Sequence, residues 1–180
     1  MLKNILKNKP FRVIILSLLL MVPFSYNYQF VKTDGESMSP TFEDGEWVLM
    51  ERRRSLGSDW CPQRFDKILV RDLGEEENLS KRVIGLPGDT IELREGFIYL
   101  NEKKLQDPFG NGKITFYLVD DNDVNLKYWS GPNIVENVVK YADRKPISIK
   151  KGFVWVIGDN RVVSWFGLMP IKEIRGRILY

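Results

Sequence analysis

Ser37 stands in Asp34-Gly35-Glu36-Ser37-Met38-Ser39-Pro40-Thr41, a turn-like stretch just behind the only long apolar segment of the chain. A serine hydroxyl is a poor nucleophile until a base takes its proton in the transition state. The chain contains no histidine, so a different base is needed, and a lysine held neutral is the obvious alternative. At its ordinary pKa of about 10.4 a lysine is almost wholly protonated, and burial among apolar groups is what penalises the ammonium form. Lys81 opens Lys81-Arg82-Val83-Ile84-Gly85-Leu86-Pro87-Gly88-Asp89. On an extended strand Lys81 and Val83 would point inward together while Arg82 meets water. Arg82 does not deprotonate and is excluded as the base. An inward Asp34 or Glu36 would stabilise the Lys81 ammonium, so the alternation that presents Ser37 should turn Glu36 to solvent.

The elements that must position these groups begin with the apolar run from Val13 to Phe24, which has Lys3, Lys7, Lys9 and Arg12 before it and no acid among them. Extended to Phe30, with tyrosines at headgroup level, it reaches the roughly 20 residues needed to span a bilayer. We read residues 1–12 as a basic cytoplasmic N-terminus, 13–30 as a transmembrane anchor and 31–180 as an exported domain. A cleaved secretory signal shares the charge and apolar length, but Ser25-Tyr26-Asn27-Tyr28-Gln29-Phe30 puts bulky residues where a small-x-small site belongs. A buried core helix is the remaining alternative.

Beyond Val31 the pattern is β. Residues 47–50, 67–70 and 153–157 are short β-branched or aromatic runs, 90–94 and 97–100 flank Glu95-Gly96 as a hairpin, and 174–180 alternates and closes the sheet. The fold expected is therefore mostly β, one N-terminal transmembrane helix followed by an antiparallel sheet. Residues 106–150 are polar and turn-rich and read as an insertion. Within it Asp121, Asp123 and Asn125 have calcium-loop spacing, but Leu126 and Pro132 occupy positions that need glycine and glutamate, so a solvated acidic turn is expected.

Composition removes other classes. The four N-terminal cations leave 23 basic against 24 acidic residues, a near-neutral remainder unsuited to binding nucleic acid. A single cysteine, Cys61, and the lack of histidine exclude an internal disulfide and the usual zinc or iron sites, so no metal or other cofactor is expected.

Taken singly, a serine in a turn and a lysine on a strand are ordinary surface residues. Ser-Met-x-Pro-Thr, then Lys-Arg-Val-Ile-Gly-Leu-Pro-Gly-Asp, then Gly158-Asp159-Asn160-Arg161, in this order behind one apolar segment, closely resemble the type I signal peptidase family. The resemblance implies a Ser/Lys-dyad endopeptidase that removes signal peptides from exported precursor proteins after small residues in an Ala-x-Ala pattern. It makes Ser37 the nucleophile, Lys81 the general base, Ser164 the residue that orients the lysine, and the Ser37 backbone N–H the oxyanion donor. Where some members carry a second hydroxyl donor this chain has Gly35. Met38, Pro40 and Thr41 shape the turn, and Gly158, Asp159, Asn160 and Arg161 buttress the site. The partners implied are precursor proteins and membrane lipid, and the location a plasma membrane with the catalytic domain outside.

One departure is clear. The family pattern continues after the third-motif serine with Asp-Ser-Arg, whereas Ser164 here runs straight into Trp165-Phe166-Gly167. Either Trp165 and Phe166 keep Lys81 dry, or the site is looser. Trp165, Phe166, Leu168 and Met169 form either an apolar rim toward lipid or ordinary core. Two other readings stay open: a maturation peptidase dedicated to a conjugation or secretion apparatus, and a silent homologue that only binds precursors.

Overall fold

The computed structural model describes residues 9–71, 78–114 and 144–179. Helix α1 (Lys9–Asn27) is 19 residues long with a mean hydropathy of 1.4, enough by length and composition to cross a membrane. Leu16, Leu19, Met21 and Val22 are exposed along it, which rules out the core-helix alternative. The helix stops three residues short of the expected Phe30, because Tyr28–Lys32 leaves it to become strand β1. Distant residues set that end. Arg54 Nε donates to the Tyr26 carbonyl at 2.7 Å, Ser55 Oγ to that of Asn27 at 3.4 Å and Arg52 Nε to that of Tyr28 at 3.4 Å. These donors occupy carbonyls that a helix C-terminus leaves unpaired, and the cations suit its negative end.

Strands β1, β2 (Trp47–Arg52), β3 (Lys67–Arg71), β4 (Asn78–Gly85), β9 (Phe153–Ile157), β10 (Phe166–Pro170) and β11 (Ile174–Ile178) form one antiparallel sheet in the order β1-β2-β11-β3-β4-β9-β10. The C-terminal strand does not close the sheet at an edge but wedges between β2 and β3. Gly176 permits this, since a Cβ there would collide with the Glu51 carbonyl. A smaller sheet has the order β7-β6-β5-β8, from β5 (Thr90–Arg94), β6 (Phe97–Leu100), β7 (Lys103–Lys104) and β8 (Arg144–Ser148). β5 and β6 are the hairpin expected around Glu95-Gly96. β8 falls within the expected insertion 106–150 and pairs with β5; residues 115–143, including the acidic turn 120–125, lie outside the described residues.

Two apolar clusters sandwich the middle of the large sheet. Val83 belongs to one, with Ile68, Val70, Val154, Val156, Met169 and Ile174, and Ile84 to the other, with Ile91, Leu93, Ile98, Trp155 and Ile157. From Lys81 to Gly85 β4 is thus dry on both faces, and the expectation that Arg82 meets water fails: Lys81 and Arg82 are each only 2% exposed.

The turn that carries the chain from β4 into the small sheet is organised by Asp89. Its carboxylate accepts from Leu86 N–H at 2.7 Å and Asn101 Nδ2 at 2.8 Å, and pairs with Arg64 at 3.1 Å. Burial alone would raise this carboxyl, but the Leu86, Asn101 and Arg64 contacts together hold it below the usual carboxylate value. A depressed pKa contributes stability above the unfolded value of roughly 3.9 and loses it as pH falls through the lower folded one. Asp89→Asn should therefore lower the melting temperature at pH 6 to 7. The gap to wild type should narrow progressively below about pH 4, as thermal melts across pH would reveal.

Candidate active site

The 33–46 loop that holds Ser37 is closed at its base by backbone bonds Thr33 N–H to Glu46 C=O (2.8 Å) and Gly45 N–H to Thr33 C=O (3.1 Å). Gly35 takes φ +74°, which favours glycine, and its N–H donates to Asp44 Oδ1 at 2.8 Å. Met38 and Phe42 drop into a small core with Val48 and Ile178, while Glu36 faces solvent as expected and Asp34 is exposed too. Pro40 is exposed after a cis bond to Ser39.

This geometry brings Ser37 to Lys81. Lys81 Nζ lies 2.9 Å from Ser37 Oγ and 3.1 Å from the Ser80 carbonyl oxygen. A second lysine, Lys67, is pushed below its ordinary pKa by burial first and by the Arg82 charge next. Its Nζ sits over the Phe42 ring, 5.0 Å from the centroid, and 3.5 Å from the Leu179 carbonyl. Its bonds therefore do not compete for Ser37.

The Gly158-Asp159-Asn160-Arg161 turn, at the end of β9, grips the serine from behind. Asn160 N–H donates to the Ser37 carbonyl at 3.0 Å, and a Cβ on Gly158 would strike that same carbonyl. Glycine is therefore a packing requirement at 158. Asp159, wholly buried, accepts from Arg82 Nε at 2.7 Å and Nη2 at 2.5 Å, and from the Thr41 hydroxyl. One carboxylate so ties β4, the Ser37 loop and the 158–161 turn together. Arg161 donates to the Gly158 carbonyl and pairs with Asp107.

Ser164 also reaches this turn. Its hydroxyl accepts from Gly158 N–H at 2.6 Å and donates to the Trp165 carbonyl at 2.8 Å, so these bonds brace the turn. Beyond it, Met169 is core, Phe166 and Leu168 pack on one apolar cluster and Trp165 on the other, which favours the core reading over a lipid rim. The exposed apolar side chains here are Val162 and Val163.

Sequence reasoning missed the burial of Arg82 and the parts played by Asp107 and Phe109, whose ring lies 3.8 Å from the Arg82 guanidinium carbon. The near-continuous run Val83-Ile84-Gly85-Leu86 was the available signal, since two dry faces abolish the alternation that assigned Arg82 to water.

A serine within hydrogen-bond distance of a buried lysine, with the 158–161 turn locked behind it by ion pairs, is an arrangement suited to a serine peptidase, a hydrolase. Comparison with known proteins agrees. The family model described as "Signal peptidase, peptidase S26" matches residues 6–180. The chain is 33% identical over 149 residues to signal peptidase I of Bacillus caldolyticus, covering 81% of this chain and 74% of that protein. It is 32% identical over 154 residues to signal peptidase IB of Staphylococcus aureus strain Mu50, covering 81% and 73% respectively. A crystal structure of a signal peptidase I from Enterococcus faecalis V583 aligns with a TM-score of 0.42 at 24% identity, over 68% of this chain and all of that one. The chain belongs to the signal peptidase family, peptidase S26.

Two substitutions test the scaffold. Arg82→Met strands the buried Asp159 charge and should cost about 3–5 kcal/mol in urea unfolding, most of it recovered in the Arg82→Met/Asp159→Asn double variant. Gly158→Ala should displace the Ser37 carbonyl and cut turnover about a hundredfold, since misplacing a reacting group by 1 Å has that effect.

Proposed function

We propose that this chain is a membrane-anchored serine endopeptidase that removes signal peptides from exported precursor proteins, with Ser37 as nucleophile and Lys81 as general base. The observation that carries this reading is the 2.9 Å separation of Lys81 Nζ from Ser37 Oγ at a lysine 2% exposed. Desolvation penalises the ammonium, and a neutral amine at that distance accepts the serine proton.

As Ser37 Oγ attacks the scissile carbonyl, its proton passes to Lys81 Nζ. The oxyanion of the tetrahedral intermediate takes a hydrogen bond from Ser37 N–H. Lys81 then protonates the departing amine, leaving an acyl ester on Ser37. Water, deprotonated by Lys81 in its turn, hydrolyses that ester and restores both residues. Cleavage after Ala-x-Ala follows if shallow pockets beside Ser37 admit alanine-sized side chains and clash with larger ones. α1 serves as the uncleaved anchor, and the basic residues before its apolar stretch place the N-terminus in the cytoplasm and the catalytic domain outside a bacterial plasma membrane.

The test is cleavage of an Ala-x-Ala precursor by the detergent-solubilised full chain. Ser37→Ala and Lys81→Met should each lower turnover on the order of ten-thousandfold or more. Wild-type rate should fall as pH drops, because protonating Nζ removes the base. Glu36→Gln, at an exposed side chain, should stay within about twofold of wild type. No cleavage of several precursors by folded wild type would favour a dedicated maturation peptidase or a silent binder instead.

A further inference from the structure

We infer that the 107–112 segment is a strap that positions the catalytic serine, with Asp107 as its pin. The proposal rests on the peptidase reading, and it concerns a segment outside all three motifs.

Asp107 divides its oxygens between two tasks. Oδ1 accepts from Phe109 N–H and Gly110 N–H, each at 3.1 Å, and so shapes the strap itself. Oδ2 pairs with Arg161, whose side chain is only 3% exposed. The strap's backbone then runs alongside the 158–161 turn. Asn111 N–H donates to the Asp159 carbonyl at 2.8 Å, and Arg161 N–H returns a bond to the Asn111 carbonyl at 2.9 Å. Phe109 covers the Arg82 guanidinium and packs edge-on against Phe65 at 5.5 Å.

Charge explains why an acid is required. Arg82 and Arg161 are both buried, and Asp159 accepts only from Arg82 of the two. The second cation would be buried without a counterion unless Asp107 supplied one. Position explains the consequence. Arg161 holds the Gly158 carbonyl, and Asn160 in the same turn holds the Ser37 carbonyl. Asp107 is therefore linked to the nucleophile through Arg161 and the 158–161 turn without touching it. After Ser164 the chain lacks the acid and arginine of the family pattern, and the Asp107 carboxylate does bracing work from a different part of the fold.

Asp107→Asn, Asp107→Ala, Asp107→Glu and Gly110→Ala in the detergent-solubilised full chain test this. A Cβ at Gly110 would come within 2.6 Å of both Arg161 Nε and Asp107 Oδ2, so that variant disturbs the strap without removing its charge. Asp107→Ala and Gly110→Ala should lower kcat about ten- to a hundredfold with KM within about twofold, because the strap places the nucleophile and not the substrate. Asp107→Glu should restore part of the loss, and Asp107→Asn should fall between. Amide hydrogen exchange supplies a readout independent of cleavage: Asn160, bonded to Ser37, should exchange faster in Asp107→Ala while Val83, bonded to Asp66, is unchanged. Unaltered kcat and unaltered Asn160 exchange would overturn the proposal. So would equal acceleration at Asn160 and Val83, which marks general destabilisation. Wild type that cleaves nothing would sink the peptidase reading, and Asn160 exchange alone would then decide whether Asp107 controls the turn.

Discussion

The buried pair between Arg82 and Asp159 is the constraint from which the site's geometry follows. Neither charge has water to fall back on, so each is tolerable only while the other is in place. That all-or-none demand is useful in a site assembled from three remote pieces of chain. Arg82 is the neighbour of the lysine, Asp159 the neighbour of the residue that holds the serine's carbonyl, and Thr41 of the serine's own loop joins the same carboxylate. Docking the ion pair correctly docks the serine against the lysine. A hydrophobic pair of equal volume could fill the space, but it would not fix direction in the same way as a two-point guanidinium–carboxylate contact.

The serine and lysine come together through local devices of different kinds. The 33–46 loop is a self-contained knot whose Met38 and Phe42 anchor it by burial. The lysine is delivered by register, with Ile68 opposite it on β3 and apolar clusters on either face of β4. Flexible lysine side chains lose considerable freedom when ordered, and a strand hydrogen-bonded on both flanks near this point supplies rigid backbone from which only the side chain must be fixed.

Much of this was legible in the chain itself, for reasons that differ by element. The hairpin around Glu95-Gly96 announces itself because turn chemistry and period-two alternation are both local. Short motifs and the lack of histidine made Ser37 and Lys81 candidates for a pair, and their side chains do lie 2.9 Å apart. Arg82 was misplaced because strand alternation assumes one wet face, and its partner lies 77 residues away. Strand β1 was hidden inside a stretch whose aromatic composition continues the helix; the arginines that end the helix come roughly two dozen residues later. β8 was hidden by Arg144-Lys145-Pro146, a sequence suited only to an edge, which is where it pairs. In each case the missing information was tertiary: a partner distant in sequence decided what a local pattern left open.

The join between α1 and the sheet has a mechanical consequence. The helix passes into β1 without a linker, and the Arg52–Ser55 segment clasps the crossing point from the side. A swivel needs slack, and there is none among these residues. Five residues of β1 at about 3.3 Å each make a stem of roughly 17 Å between the helix and the loop that carries the serine. Seated in a bilayer, such a molecule would act as a gauge of fixed height, and any lean of the helix would raise or lower the serine relative to the lipid surface. The depth at which a bond can be cut would then be written into the angle of the anchor as much as into the shape of the cleft.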